Sequence, residues 1–437
     1  MTFKAGAATT NITPPLGVRL SGGFLPRPAE EVLDELHAKA IAVSDGVTSL
    51  AIVACDLIAM TRDRADAVKR RVETLCGIPA ANILVACTHT HTGPAPCWVL
   101  AVEPENAYMD WACLKIADAV ALAARRMRDA RAGAAAGTIP GQVFNRRWWL
   151  KDGSVKMNPG HQNPNLVRPA GPTDPQFSIL ALEGVDGTPI ALLANYALHY
   201  VGGQGGTVVS ADYFGAFGQA VPRMLGQNML AIMSNGCSGD INNVDYSRPP
   251  HPLSGTRGAK MHQVADVCAA EAVRLWRERV EFKTDIRLGT AQREVSVRKR
   301  PIPAAELAEA RRAVAAGGDL KDPTYFWKWQ QVRVSELPDE FPTLLQALRI
   351  GDVGMVGLPG EIFVEIGLQV KACSPFPVTM PIELANGYLG YTCTDKALVE
   401  GSYETQTCYS SLPAAGTEPL YVDTTAALFQ ELKPPRH

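Results

Sequence analysis

Two histidines standing two positions apart raise the question of chemistry: His89 and His91, in Ala-Cys-Thr-His-Thr-His-Thr-Gly-Pro. Paired imidazoles suit zinc, because neutral imidazole is a borderline-soft nitrogen donor. On an extended strand, residues i and i+2 share a face, so both rings are expected to point into one pocket. A third histidine, His199, ends the apolar run Ala-Leu-Leu-Ala-Asn-Tyr-Ala-Leu-His. The glycine run after it, Gly-Gly-Gln-Gly-Gly, lets backbone approach a substrate closely. Glu361 follows Pro359-Gly360 and opens a predicted helix. Two histidines, a glutamate and an open position for water make up a hydrolytic zinc set. Each residue also has an ordinary alternative: a surface turn for the histidine pair, a structural strand end for His199, and a carboxylate favoured by a helix dipole for Glu361.

The elements that must position these groups alternate between strand and helix. Ala40–Ser44 and Leu50–Ile58 are short apolar runs separated by Asp45-Gly46, the pattern of a hairpin or of two neighbouring strands. Helical spacing over Arg62–Cys76 places Ala65, Val68, Val72 and Leu75 on one face, and Gly77-Ile78-Pro79 stops it. Asn82–Ala86 reads as a buried strand with the histidine motif at its carboxyl end, followed by a long helix over Met109–Arg131. Gly141–Pro172 lacks periodicity and reads as a functional loop or lid. Strands are expected at Phe177–Leu182, Ile190–Leu198, Leu230–Met233 and within Leu344–Leu358. Helices are expected at Met261–Val280, Ala304–Ala316, Ile362–Ala372 and Thr424–Leu432. The order implies an α/β fold of mixed sheets with flanking helices, one catalytic domain over 1–437, and a ligand site outside strand carboxyl ends.

Composition narrows the class. Hydrophobic residues make up 46% and charged residues 20% of 437, an ordinary globular balance. The formal net charge of -2 gives no basic footprint for nucleic acid. No apolar run is long enough to span a bilayer, so membrane anchoring is not expected, and without a signal-peptide core the expected location is cytoplasmic. The ten cysteines include no Cys-x-x-Cys and fall in strand-like and helical runs, which suits reduced, mostly buried thiols.

A series of short motifs, in order, resembles the amino-terminal catalytic domain of the neutral, non-lysosomal ceramidases. It includes Asn11-Ile12-Thr13-Pro14-Pro15 with Gly22, Thr88-His89-Thr90-His91-Thr92-Gly93-Pro94, and Asn145-Arg146. It continues through Ala197-Leu198-His199, Ser210-Ala211-Asp212, Ser234-Asn235 with Gly239-Asp240, and Leu358-Pro359-Gly360-Glu361. It closes with Tyr391-Thr392-Cys393-Thr394 and Tyr403-Glu404. The resemblance implies one zinc ion held by His89, His199, Glu361 and Tyr391. It also implies His91 as general base, with Arg146 and Tyr403 stabilising an oxyanion. A tyrosine ligand is unusual for zinc, and Tyr391 rests on the resemblance alone. For the other two the chemistry agrees, since a guanidinium and a phenol are donors that meet developing negative charge.

The sequence also departs from that family. Gly239-Asp240-Ile241-Asn242-Asn243 carries Asn242 where the family motif has a serine, which leaves a water-driven mechanism intact and removes an acyl-serine route. The Gly-rich turn before it offers backbone N–H groups to a negative charge. The chain is expected to lack the carboxyl-terminal β-sandwich of full ceramidases, and ceramide itself is not the expected substrate. Gly22, Trp98, Trp148 and Asn242 are candidate substrate-lining positions, the tryptophans having core packing as their alternative. Asp56 and Asp240 are expected to make structural hydrogen bonds. The leading expectation is a zinc hydrolase of amides in soluble N-acyl or amide-containing small molecules. The alternatives are an esterase or lactonase with the same ion, a non-catalytic ligand-binding relative, and a metal-dependent lyase.

Overall fold

The computed structural model describes residues 2–433. Its centre is an eight-stranded mixed sheet in the order Leu230–Asn235, Pro189–Tyr196, Gln176–Gly184, Arg128–Thr138, Lys4–Asn11, His37–Ser44, Ser49–Cys55, Ile83–Cys87. Each half ends in the same way: an antiparallel hairpin, a crossover helix, and an edge strand added in parallel. The helices are Arg62–Cys76 in the first half and Asp212–Leu225 in the second. A parallel neighbour requires such a crossover, and the helix buries its apolar stripe on the sheet.

Helices Arg62–Cys76 and Asn106–Arg125 cover one half of the outer face, and Asp212–Leu225 and Ala259–Glu278 cover the other. The inner face packs on a second sheet, ordered Leu288–Arg298, Glu340–Ile350, Val353–Gly357, Val378–Ile382. Helices Val364–Ala372 and Thr417–Leu432 cover the far side of that sheet. The result is the expected α/β fold of mixed sheets with flanking helices. Among the described residues, no helix is long and apolar enough to cross a membrane.

The large sheet curls until its two edge strands, Ile83–Cys87 and Leu230–Asn235, approach each other. Residues 383–386 strap them together. Glu383 N donates to Asn235 O on one edge, Cys87 N donates to Leu384 O on the other, and Asn386 N donates to Val85 O. The Asn386 side chain adds a bond from Val85 N (3.2 Å) and one to Gln346 of the second sheet (2.8 Å). Leu384 and Asn386 take positive φ (56° and 60°), a conformation that asparagine tolerates and leucine seldom adopts.

Several sequence expectations are corrected here. The helix expected over Met109–Arg131 ends at Arg125, and Arg128–Thr138 is a strand. Its alanines suit a helix, but Gly133 and Gly137 leave room for close neighbours: a Cβ on Gly133 would lie 2.5 Å from Glu281 O. Gly141–Pro172 is not wholly irregular, because Arg147–Leu150 pairs with Val155–Met157 and Leu166–Pro169. Helix Pro323–Ser335, capped by the Asp322 side chain, was not anticipated, because its mixture of aromatic and polar residues has no clear apolar stripe. Asp56 and Asp240 make structural bonds as expected, Asp56 with Lys39 and Asp240 with Asn145 and Val364 N.

Because Asn386 supplies two buried side-chain bonds to the strap, Asn386→Ala should lower stability by about 2–4 kcal/mol. Chemical denaturation checks this, and a loss under ~0.5 kcal/mol would show that the strap does not depend on it.

Candidate metal centre

His89 follows strand Ile83–Cys87, and His199 follows strand Pro189–Tyr196. The curl of the sheet brings these distant chain positions together. The face-sharing of His89 and His91 does not come from a strand, however: the strand stops at Cys87 and His89 takes φ 74°. A left-handed turn, held by His89 N donating to Leu57 O, aims both rings inward.

Each imidazole commits its Nδ1 to a backbone carbonyl: His89 to Ile58 O (2.8 Å), His91 to Gly22 O (3.0 Å) and His199 to Ser238 O (3.1 Å). A carbonyl only accepts, so Nδ1 carries the proton and Nε2 presents a lone pair. The three Nε2 atoms converge, with His89 at 3.0 Å from both His199 and His91. Glu361 Oε2 lies 3.3 Å from His89 Nε2 and 3.7 Å from His199 Nε2, buried and without a hydrogen-bond partner of its own. Lone pairs at this spacing repel unless a cation sits among them. The buried His89, His91 and His199 group can therefore hold a metal ion, and the orphaned Glu361 oxygen fits the same role.

Burial pushes the His91 and His199 rings well below the usual histidine range, favouring the neutral donor form. Burial opposes ionisation of the Glu361 carboxyl, while the hydroxyls of Tyr388 and Tyr391 favour it. Tyr391 stands opposite Glu361 in a short parallel pairing. Burial and Glu361 raise its hydroxyl well above the usual range.

Arg146 donates from Nε to Glu404 Oε1 at 2.8 Å, while its buried Nη2 has no partner. Its guanidinium lies over the Tyr391 ring at 5.4 Å, and the Tyr391 and Tyr403 rings meet edge to face at 5.8 Å. Gly22 is fixed by contact: a Cβ there would fall 2.4 Å from His91 Cβ, and its φ is 93°. The structure thus gathers His89, His91, His199, Glu361, Tyr391, Arg146, Tyr403 and Gly22 into one centre.

The other three sequence candidates make contacts elsewhere. Trp98 stacks on Tyr409 and meets Trp329, joining an aromatic wall in which Phe24 touches Phe326, Trp327 and Tyr403. Trp148 is nearly buried in the three-stranded sheet, with no partner for its indole N–H. Asn242 hydrogen-bonds Asn158 and Tyr246.

Sequence reasoning missed several supports. Tyr388 donates to Glu361 Oε1 at 2.7 Å, and Tyr200 stacks on His91 at 3.7 Å. Buried Glu383 accepts from Ser238 Oγ, Ser238 N and Ile362 N, bracing the neighbours of both His199's carbonyl partner and Glu361. The N–H of Ser238 in the Gly-rich turn points inward, to the buried carboxyl of Glu383. The available signals were positional only, Tyr388 lying three residues before Tyr391 and Tyr200 directly after His199.

No family model and no curated protein matches this sequence. Solved structures do match. The neutral ceramidase from Pseudomonas aeruginosa aligns with a TM-score of 0.77 at 18% identity, over 100% of this chain and 76% of that one. A ceramidase complexed with C2 aligns at 0.76 and 16% identity, with the same coverage. The fold is that of the neutral ceramidases.

Removing the Tyr388 hydroxyl should loosen Glu361 without touching the histidines. Tyr388→Phe is expected to weaken metal affinity by about 10- to 100-fold. Competition with a chromophoric chelator measures this; unchanged affinity would mean that Glu361 is not a ligand or does not need Tyr388.

Proposed function

We propose that this chain is a zinc-dependent hydrolase cleaving the amide bond of a soluble N-acyl or amide-containing small molecule. The observation that carries the reading is the convergence of the His89 and His199 Nε2 lone pairs with the unpartnered Glu361 oxygen in one buried centre, where His91 Nε2 stands 3.0 Å from His89. Nitrogen and carboxylate donors suit zinc, and His89, His199, Glu361 and Tyr391 would hold a single ion. A bound zinc supplies Lewis acidity and lowers the pKa of water towards neutrality.

The protein's own groups then divide the remaining work. His91 keeps its Nδ1 proton on Gly22 O, so Nε2 is free to take a proton from the attacking water and return it to the leaving amine. Stacking on Tyr200 fixes the ring plane. Arg146, anchored by Glu404, has Nη2 left to meet the oxyanion, and the Tyr403 hydroxyl is a second donor. Because both are positioned by other contacts before substrate arrives, little reorganisation is required at the moment of reaction. The wall around Phe24, Trp98 and Trp327 offers an apolar surface for an acyl or aromatic group. We place all of this in one catalytic domain in the cytoplasm. Asn242 in the serine position excludes an acyl-serine there.

Two outcomes are expected. Elemental analysis should find about one zinc per chain, and His89→Ala should lose both the metal and the hydrolysis of N-acyl amines. Protein that is inactive on amides with every divalent metal would sink the amide reading, and turnover confined to esters or lactones would move it to the sibling chemistry. Arg146→Ala should lower kcat by about 10²–10³ with little change in KM, as loss of an oxyanion donor does. A change confined to KM would assign Arg146 to ground-state binding.

A further inference from the structure

Arg27 stands beside the centre and takes no part in the chemistry above. It follows Gly22 and Phe24 in the segment Gly22-Gly23-Phe24-Leu25-Pro26-Arg27. Its Nη2 donates to Ser21 O at 2.9 Å and to His91 O at 3.1 Å. The guanidinium lies between two glycines: a Cβ on Gly23 would be 3.2 Å from its Nε, and one on Gly206 would be 3.4 Å from its Nη1. Any side chain at either position would crowd the guanidinium. Its Nε is buried and has no hydrogen-bond partner.

Charge distinguishes Arg27 from its neighbours. Arg146 is paired with Glu404, and Arg147 with Glu400 and Glu404. Among the described residues, Arg27 is paired with no carboxylate, and its ionisable neighbour is the Tyr200 phenol, itself stacked on His91. A half-buried cation without a counter-charge is costly unless something else supplies one. With a divalent cation bound, the Glu361 carboxylate alone would leave positive charge over at the metal, which would favour an anionic ligand there.

We propose that Arg27 receives a carboxylate of the substrate, so that the amide cleaved belongs to an N-acyl amino acid or a similar acid with its carboxylate close to the scissile bond. This rests on the amide-hydrolase reading and narrows its substrate class. Arg27 bonds the His91 carbonyl, which sets the guanidinium beside the residue proposed to serve the reacting amide. The apolar acyl part is then left to the aromatic surface of Phe24 and Trp327. An arginine suits this role because its charge is permanent, and Nη1, which neither carbonyl bond uses, is left to meet a carboxylate oxygen.

The test is calorimetric binding of hippurate and of its uncharged methyl amide to the zinc-loaded protein. Hippurate is expected to bind about tenfold or more tightly than the methyl amide. Arg27→Gln should bring the two affinities together, and Arg27→Lys should restore part of the difference. Equal affinities in the wild type, or no binding of either at millimolar concentration, would overturn the proposal whether or not the variants fold. A preference for hippurate that survives in Arg27→Gln would also overturn it, placing the carboxylate on the metal instead. Hippurate that binds through Arg27 yet is not hydrolysed, with no other amide turned over, would leave this inference standing and remove the amide-hydrolase reading.

Discussion

Three imidazole nitrogens with their lone pairs turned inward, that of His89 lying 3.0 Å from each of the other two, form an arrangement that a protein does not keep without cause. The orientation is imposed from behind, since every Nδ1 proton is held by a carbonyl from a different part of the chain: Ile58, Gly22 and Ser238. Those carbonyls belong to a strand-end loop, an amino-terminal loop and a Gly-rich turn, so the fold must hold three separate segments in place to keep the donors convergent. A cation held among them would relieve the mutual repulsion, and its binding would then be coupled to the stability of the whole arrangement.

Buried polar groups also brace the centre from behind. Glu383 is fully buried, and burial pushes its carboxyl well above the usual range, yet it accepts three hydrogen bonds. It joins Ser238, whose carbonyl orients His199, to Ile362, the neighbour of Glu361. The strap that begins with Glu383 also closes the gap between the two edge strands of the curled sheet. One short segment therefore sets both the closure of the sheet and the alignment of two donor groups.

Around this rigid centre, the substrate-facing surfaces differ in kind. The aromatic wall built from Phe24, Phe326, Trp327 and Tyr403 is apolar and partly open, with Phe24 47% exposed. The Tyr200 and Arg27 side is polar and, at Arg27, charged. On the proposed reading, a site with one apolar and one cationic flank would suit amphiphilic molecules, and the fold it shares with ceramidases does not dictate which ones.

Much of the local structure was legible in the sequence. Helices Arg62–Cys76 and Ala304–Ala316 end where the sequence places them, because apolar spacing and glycine stops are local signals. Residue chemistry and motif order singled out His89, His91, His199, Glu361, Tyr391, Arg146 and Tyr403, and the structure brings all seven together. The alanine-rich strand Arg128–Thr138 and the aromatic helix Pro323–Ser335 were not legible, since packing against distant partners decides them and local preference does not. The left-handed turn at His89, the Tyr388 bond to Glu361, the Glu383 brace and the uncompensated charge of Arg27 were likewise hidden. Each depends on which atoms the folded chain brings within contact distance, and residues separated by 21 to 145 positions leave no trace of that distance in the order of the chain. The sequence by itself determined which side chains were capable of the chemistry; tertiary structure decided their orientation, their supports and the charge left over.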